Sequence, residues 1–161
     1  MRTDYQAVVA APFGALGLRV ANGMLTAVDF LSLTTQPLAP KDPAVREICE
    51  CLTEYLRNPR CPFHIPISVA GTPFQQHVWS AIRQIPVGEI LTYSELAQRV
   101  ASGPRAVANA CGANPIPVVI PCHRVVAKHG LGGFMQGRDS DSLSIKRWLL
   151  RHERSKPAPS R

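Results

Sequence analysis

Acidic residues are scarce in this chain, and scarcest toward its end. The 161 residues hold 11 Asp and Glu against 18 Lys and Arg, a formal net charge of +7. The first 104 residues balance, with 8 of each sign, whereas residues 105–161 hold 10 basic side chains and 3 acidic ones. A one-sided basic field suits a polyanion such as nucleic acid. The plainer source of part of the excess is a solvated tail carrying Arg154, Lys156 and Arg161. Cys-x-x-Cys pairs are absent. Five cysteines (Cys49, Cys51, Cys61, Cys111 and Cys122), odd in number and without that spacing, argue against a disulfide framework and for a reducing compartment. Cys49, Cys51, Cys61 and His64 fit no standard zinc spacing, so structural roles are expected and no metal. No apolar run approaches the roughly 20 residues that span a bilayer. Met1-Arg2-Thr3-Asp4-Tyr5 lacks the charged-then-apolar layout of a leader. The expectation is a cytoplasmic, monomeric protein with no membrane contact and no internal repeat.

What is present divides the chain in two. Leu16, Leu18 and Val20 alternate, Asn22-Gly23 follows, and Leu25, Ala27 and Phe30 continue, which predicts a hairpin because both turn residues tolerate positive φ. Asp42-Pro43 opens a helix with Asp as cap and Pro in the first turn. Val45, Ile48, Cys49, Leu52, Tyr55 and Leu56 form its apolar stripe, and Asn58-Pro59 ends it. Pro59, Pro62, Pro66 and Gly71 mark a link. The expected fold class is α/β (α+β). A strand-rich lobe with one helix spans residues 1–70, a mostly helical, winged-helix-like domain spans 71–154, and a disordered tail spans 155–161.

In the second domain, Thr72-Pro73-Phe74-Gln75 and Thr92-Tyr93-Ser94-Glu95 are capping boxes that open two helices. Ser102-Gly103 turns the chain, and Pro104 opens a third helix running from Arg105 to about Cys111. Two short helices joined by a Gly-containing turn predict a helix-turn-helix. The exposed face of the second carries only Arg105, small alanines and Asn109, so it can lie close against a partner. Ile116 to Ile120 reads as a buried strand. A Gly-rich loop then covers residues 127–141, with its glycines between Gly130 and Gly137, and a last helix runs from about Ser142 to Glu153.

The chemistry concentrates in Ile120-Pro121-Cys122-His123-Arg124-Val125-Val126. A thiol is a strong nucleophile only as thiolate, and an adjacent base is one way to form it at neutral pH. Pro121 fixes one backbone angle and biases Ile120 toward an extended form, presenting Cys122 at a stiff bend. An adjacent Cys-His pair alone is weak support, because an isolated cysteine is most often a small core residue.

Together with its surroundings the pair carries a resemblance. Gly71-Thr72-Pro73-Phe74-Gln75 with Val78-Trp79, Ile85-Pro86-x-Gly88, Thr92-Tyr93-x-x-Leu96-Ala97, Arg105-Ala106-Val107, Asn114-Pro115, Pro121-Cys122-His123-Arg124 and Trp148-Leu149-Leu150 with Glu153 resemble the catalytic region of the O6-alkylguanine-DNA alkyltransferases, the methylated-DNA–protein-cysteine methyltransferases. The resemblance implies that Cys122 accepts an alkyl group irreversibly, once per molecule, with no cofactor. It implies that His123 draws the thiol proton through a water, that Glu153 orients His123, and that Tyr93 and Asn114 assist. The implied partner is double-stranded DNA containing O6-alkylguanine, bound in the minor groove with the base flipped out. Arg105, Ala106, Ala108, Asn109, Thr92 and Tyr93 would contact that DNA. Val125, Gly133, Phe134 and Met135 would line the base pocket, Phe134 standing where the family carries tyrosine.

Three rival readings use parts of this set. A recognition protein that binds the lesion without repairing it would lack Cys122. A thiol hydrolase would share Cys122 and His123 but has no use for Arg105 on a small-residue helix. A helix-turn-helix regulator would show base-reading polar side chains where this chain has Ala106, Ala108 and Ala110.

Overall fold

Asn22 and Gly23 adopt φ of 55° and 77°, the left-handed pair a two-residue hairpin needs. They join β2 (Gly14–Ala21) to β3 (Met24–Leu31), and β1 (Ala7–Ala11) pairs on the other side of β2, giving an antiparallel sheet in the order β1-β2-β3. The computed structural model describes residues 4–61, 64–134 and 140–154, and the chain divides into two compact units, Met1–Val69 and Ala70–Arg161. In the first unit, α1 (Pro43–Arg57) begins at Asp42, whose side chain accepts the Ala44 N–H at 2.8 Å. Its stripe of Val45, Ile48, Cys49, Leu52 and Tyr55 is buried, as are Leu16, Leu18 and Leu25 of the sheet. Each such aliphatic side chain contributes about 1.5–3 kcal/mol through its removal from water. After α1 the chain returns to the sheet, with Leu25 N–H donating to Pro66 O at 2.9 Å.

The second unit is built on capped helices. Thr72 and Gln75 cap α2 (Pro73–Arg83) reciprocally, and Thr92 and Glu95 do the same for α3 (Tyr93–Arg99). The α3 C-terminus closes with Ser102 N–H on Ala97 O (2.9 Å) and Ala101 N–H on Gln98 O (3.3 Å), with Ala101 at φ 55°. That is the paired bonding of a Schellman end, and it turns the chain into α4 (Pro104–Gly112), which starts at Gly103 with no side-chain cap. The helix-turn-helix is therefore α3, this turn and α4. Trp79 on α2 supports it from behind, its Nε1–H donating to Ala110 O at 2.9 Å.

Two features differ from, or add to, the sequence reading. Residues 116–120 are not a strand but a tight turn, with Ile120 N–H bonded to Ile116 O at 2.8 Å and Val118 at φ 75°. The apolar run misleads because all five side chains are buried, while Pro117 has no N–H to give a ladder. The second feature is a parallel pairing of β4 (Leu91–Thr92) with β5 (Val125–Val126), which splints the start of α3 to the segment just after Cys122. The last helix, α5, runs Ser140–Arg154. Met135, Gln136, Gly137 and the tail from residue 155 lie outside the described residues. No described helix is long and apolar enough to cross a membrane.

Candidate active site

Asn114 organises the turn that carries the thiol. Its Oδ1 accepts the Ile116 N–H at 2.9 Å, and its Nδ2 donates to Ile120 O at 2.8 Å and to Cys122 Sγ at 3.2 Å. Pro121, at φ −80° and ψ 66°, then bends the chain into a 3-10 turn, Cys122–Arg124. The outcome is a thiol only 4% exposed with a hydrogen-bond donor aimed at its sulfur. Burial pushes the Cys122 thiol up to about 11, and the Asn114 bond and the charge of Lys146 pull against that rise. At rest Cys122 is therefore protonated, and a thiol held in that state acts as a nucleophile only where a base can take its proton.

His123 fits that task. It is fully buried, with Nε2 2.8 Å from Glu153 Oε2. Burial lowers its pKa, against the opposing pull of Glu153, so the ring is neutral at pH 7. With the carboxylate fixed at Nε2, that nitrogen carries the proton and Nδ1 is left as the basic lone pair. Nδ1 is buried and has no hydrogen-bond partner among the described residues. Burial raises the Glu153 carboxyl, but bonds from His123 and Arg124 reverse this and hold it well below the ordinary carboxylate range.

Two cations complete the centre, and sequence reasoning gave a role to neither. Arg124 Nε and Nη2 donate to the two oxygens of Glu153, and Nη1 donates to Ile85 O at 2.6 Å. Lys146, fully buried on α5, donates from Nζ to Val125 O (2.7 Å), Leu131 O (2.6 Å) and Gly133 O (2.9 Å). The available signal was register: Lys146, Leu149 and Glu153 share one helical stripe, so a lysine stands at an inward position. Lys146 Nζ lies 5.9 Å from the Tyr93 ring centroid. Gly132 sits against the same ring, its position leaving no room for a Cβ, which would fall 2.9 Å from Tyr93 Cε2.

The structure thus gathers Asn114, Cys122, His123 and Glu153 into one buried cluster. Lys146 links Val125 and Gly133 beside Tyr93, and Phe134 is buried at 4% exposure. Arg105, Ala106 and Asn109 are exposed on α4, while Ala108 is half-buried. Thr92 is half-buried, with its hydroxyl engaged in the α3 cap. Met135 lies outside the described residues. Cys111 is buried on α4, its thiol pushed up to about 12 by burial and by Cys122. Among the described residues, no group of three or more His, Cys, Asp or Glu is placed to hold a metal ion.

A buried thiol next to a buried histidine–glutamate pair, in the same compact unit as a helix-turn-helix, defines a class of proteins that join a cysteine site to a DNA-binding element. Residues 73–155 match the family model described as 6-O-methylguanine DNA methyltransferase, DNA binding domain. The chain belongs to the methylated-DNA–protein-cysteine methyltransferase family. It is 35% identical over 146 residues to the family member of Metallosphaera sedula, covering 90% of each. It is 34% identical to the constitutive one of Bacillus subtilis, covering 94% of this chain and 96% of that protein. A probable member from Acanthamoeba polyphaga mimivirus is 47% identical over 93 residues, and the match spans 59% of its length. Among solved structures, a variant of the Mycobacterium tuberculosis O6-methylguanine methyltransferase is similar at 32% identity and a TM-score of 0.80, covering 95% of this chain and 94% of that one. Mycobacterium tuberculosis OGT in complex with DNA is similar at 32% identity and a TM-score of 0.75, covering 91% of each chain.

Proposed function

We propose that this protein repairs DNA by moving the alkyl group of O6-alkylguanine onto its own Cys122, once per molecule. The observation that carries the reading is the His123–Glu153 bond, which assigns the proton to Nε2 and leaves Nδ1 free to act as base. In the reaction His123 Nδ1 takes the thiol proton, relayed through a water. The sulfur attacks the alkyl carbon in line, the C–S bond forms as the C–O bond breaks, and the electron pair leaves on guanine O6. Tyr93 supplies a proton to the departing base. The thioether has no ready route to hydrolysis, so the protein is consumed. Asn114, donating to Sγ, favours the developing thiolate.

The base must leave the duplex to reach a thiol this deeply buried. α4 lies in the minor groove, where Ala106, Ala108 and Asn109 permit close approach, Arg105 fills the space of the extruded nucleotide, and Thr92 and Tyr93 approach the backbone. Val125, Gly133 and Phe134 receive the base. The supporting observations are the exposed small-residue face of α4 and the three carbonyl bonds by which Lys146 holds the loop. The related proteins act on methylated DNA by name.

The test is intact-protein mass after incubation with a duplex holding one O6-methylguanine, beside Cys122→Ser. One added methyl, mapped to Cys122 and absent from the variant, is expected. An unchanged mass with tight binding would instead mean lesion recognition without repair. Arg105→Ala is expected to slow reaction in duplex far more than with free O6-alkylguanine; equal losses would refute the flipping role.

A further inference from the structure

We propose that Arg147, Arg151 and Arg154, aligned on the solvent side of α5, form a phosphate-gripping ridge that holds the DNA backbone, distinct from the α4 face. This role rests on DNA being the substrate. The three side chains stand at i, i+4 and i+7, so they fall in one row on a helix. All three are exposed, whereas Lys146, Leu149 and Glu153 on the opposite side are buried. Among the described residues none of the three arginines has an ion-pair partner. From residue 142 onward the only acid of the helix is Glu153, and it is turned inward onto His123 and Arg124.

This arrangement is not the ordinary solvated helix face. Such faces interleave acids and bases at three- and four-residue spacing, because like charges there repel. Here repulsion is accepted along the whole row. The negative end of the helix dipole accounts for cations in the last turn, Arg151 and Arg154, but not for a row that begins at Arg147. Nor is the choice of side chain neutral: all three are arginine, whose planar fork matches a phosphate's oxygens. The row extends about 10 Å along the helix axis at roughly 1.5 Å per residue, and a duplex presents one negative charge per about 1.7 Å.

The other DNA-facing element leaves this task undone. The exposed face of α4 brings one cation, Arg105, together with alanines and Asn109. Small residues permit close approach but neutralise no phosphate, so the electrostatic share of binding falls to other exposed cations of this unit, among which Arg83, Arg99 and Lys128 stand on separate segments and the α5 arginines form a row of three.

The experiment uses the full chain with Arg147, Arg151 and Arg154 changed together to Gln. Transfer to Cys122 from free O6-methylguanine is measured first and is expected to equal wild type, since none of the three touches the thiol centre. Duplex binding is then titrated across roughly 50–200 mM salt on damaged and undamaged DNA. The slope of log Kd against log salt is expected to shrink by about 2 to 3, near 0.9 for each phosphate left without its arginine. Affinity should fall by the same factor on both duplexes. Each single Gln variant should lower the slope by about 0.9, which gives the answer even if the triple variant does not fold. An unchanged slope with normal free-base transfer would overturn the ridge, and would include the case in which these arginines meet an acidic protein instead. Absence of free-base transfer in wild type would instead overturn the repair reading.

Discussion

Arg124 grips Glu153 through two parallel hydrogen bonds, Nε to Oε1 at 2.8 Å and Nη2 to Oε2 at 2.9 Å, while Oε2 also lies 2.8 Å from His123 Nε2. The fork sets the plane of the carboxylate, and the carboxylate sets the tautomer of the histidine. Lysine cannot make two parallel bonds, and a neutral side chain leaves Glu153 buried without compensation. Arg124→Met is therefore expected to cost about 3–5 kcal/mol, read from urea unfolding. Arg124→Lys should keep more of the stability yet slow alkyl transfer. A Met variant within about 1 kcal/mol of wild type would show that the fork is dispensable.

Stability should peak near neutral pH and fall on both sides. The His123 ring stays neutral in the fold where an unfolded histidine, near 6.5, takes a proton. Stability is thus full above about pH 6.5 and declines as pH falls below it. Glu153, held low in the fold, adds a second loss as pH drops below the unfolded value of about 4.3. On the alkaline side Cys122 and Cys111 keep their protons up to about 11 and about 12, whereas unfolded thiols lose theirs near 8.5. Stability present below about 8.5 is then lost as pH rises further. Unfolding free energies from about pH 4 to 10 check this, and stability that rises from about pH 6.5 to 5 would contradict it.

Ala101 occupies the left-handed position of the turn between α3 and α4, at φ 55°, and is exposed. An L side chain there costs roughly 1–2 kcal/mol that glycine avoids. Ala101→Gly should raise stability by about 1 kcal/mol, less its extra entropy in the unfolded chain. The readout is a higher melting temperature with unchanged alkyl transfer. No gain would mean that the turn relaxes at no cost.

Gly132 has φ 74°, and a Cβ there would lie 2.9 Å from the Tyr93 ring and 3.3 Å from Ala127 N. Gly132→Ala must displace either the loop or the tyrosine. Alkyl transfer should fall at least tenfold, a barrier rise of about 1.4 kcal/mol, with thermal stability reduced by about 1–3 kcal/mol. Transfer at the wild-type rate would separate Tyr93 from the reaction.

Local signals in the sequence carried far. Asn22-Gly23 specifies its hairpin, Asp42-Pro43 and both capping boxes place helix starts, and Arg105 to Cys111 falls within α4. These succeed because the causes lie within four residues of the effect. The failures are of two kinds. Residues 116–120 are apolar because they are buried, and burial does not distinguish a strand from a tight turn. The pairing of Leu91–Thr92 with Val125–Val126, like the Arg124 bond to Ile85, joins residues more than thirty positions apart and leaves no periodic trace. Lys146 was legible only as a charge in an inward register, and its three carbonyl partners come from two separate segments.

Trp79 is one of two tryptophans in the chain. Its indole N–H bonds to the carbonyl of Ala110 on α4, and its ring lies so close to Gly71 that a Cβ there would fall 2.7 Å from it. The other, Trp148, is stacked on His152 with ring centroids 4.6 Å apart. The native chain therefore carries an optical gauge of α4. Any shift of that helix alters the hydrogen bond at a 2% exposed indole, and the emission colour of Trp79 reports it in real time without an attached dye.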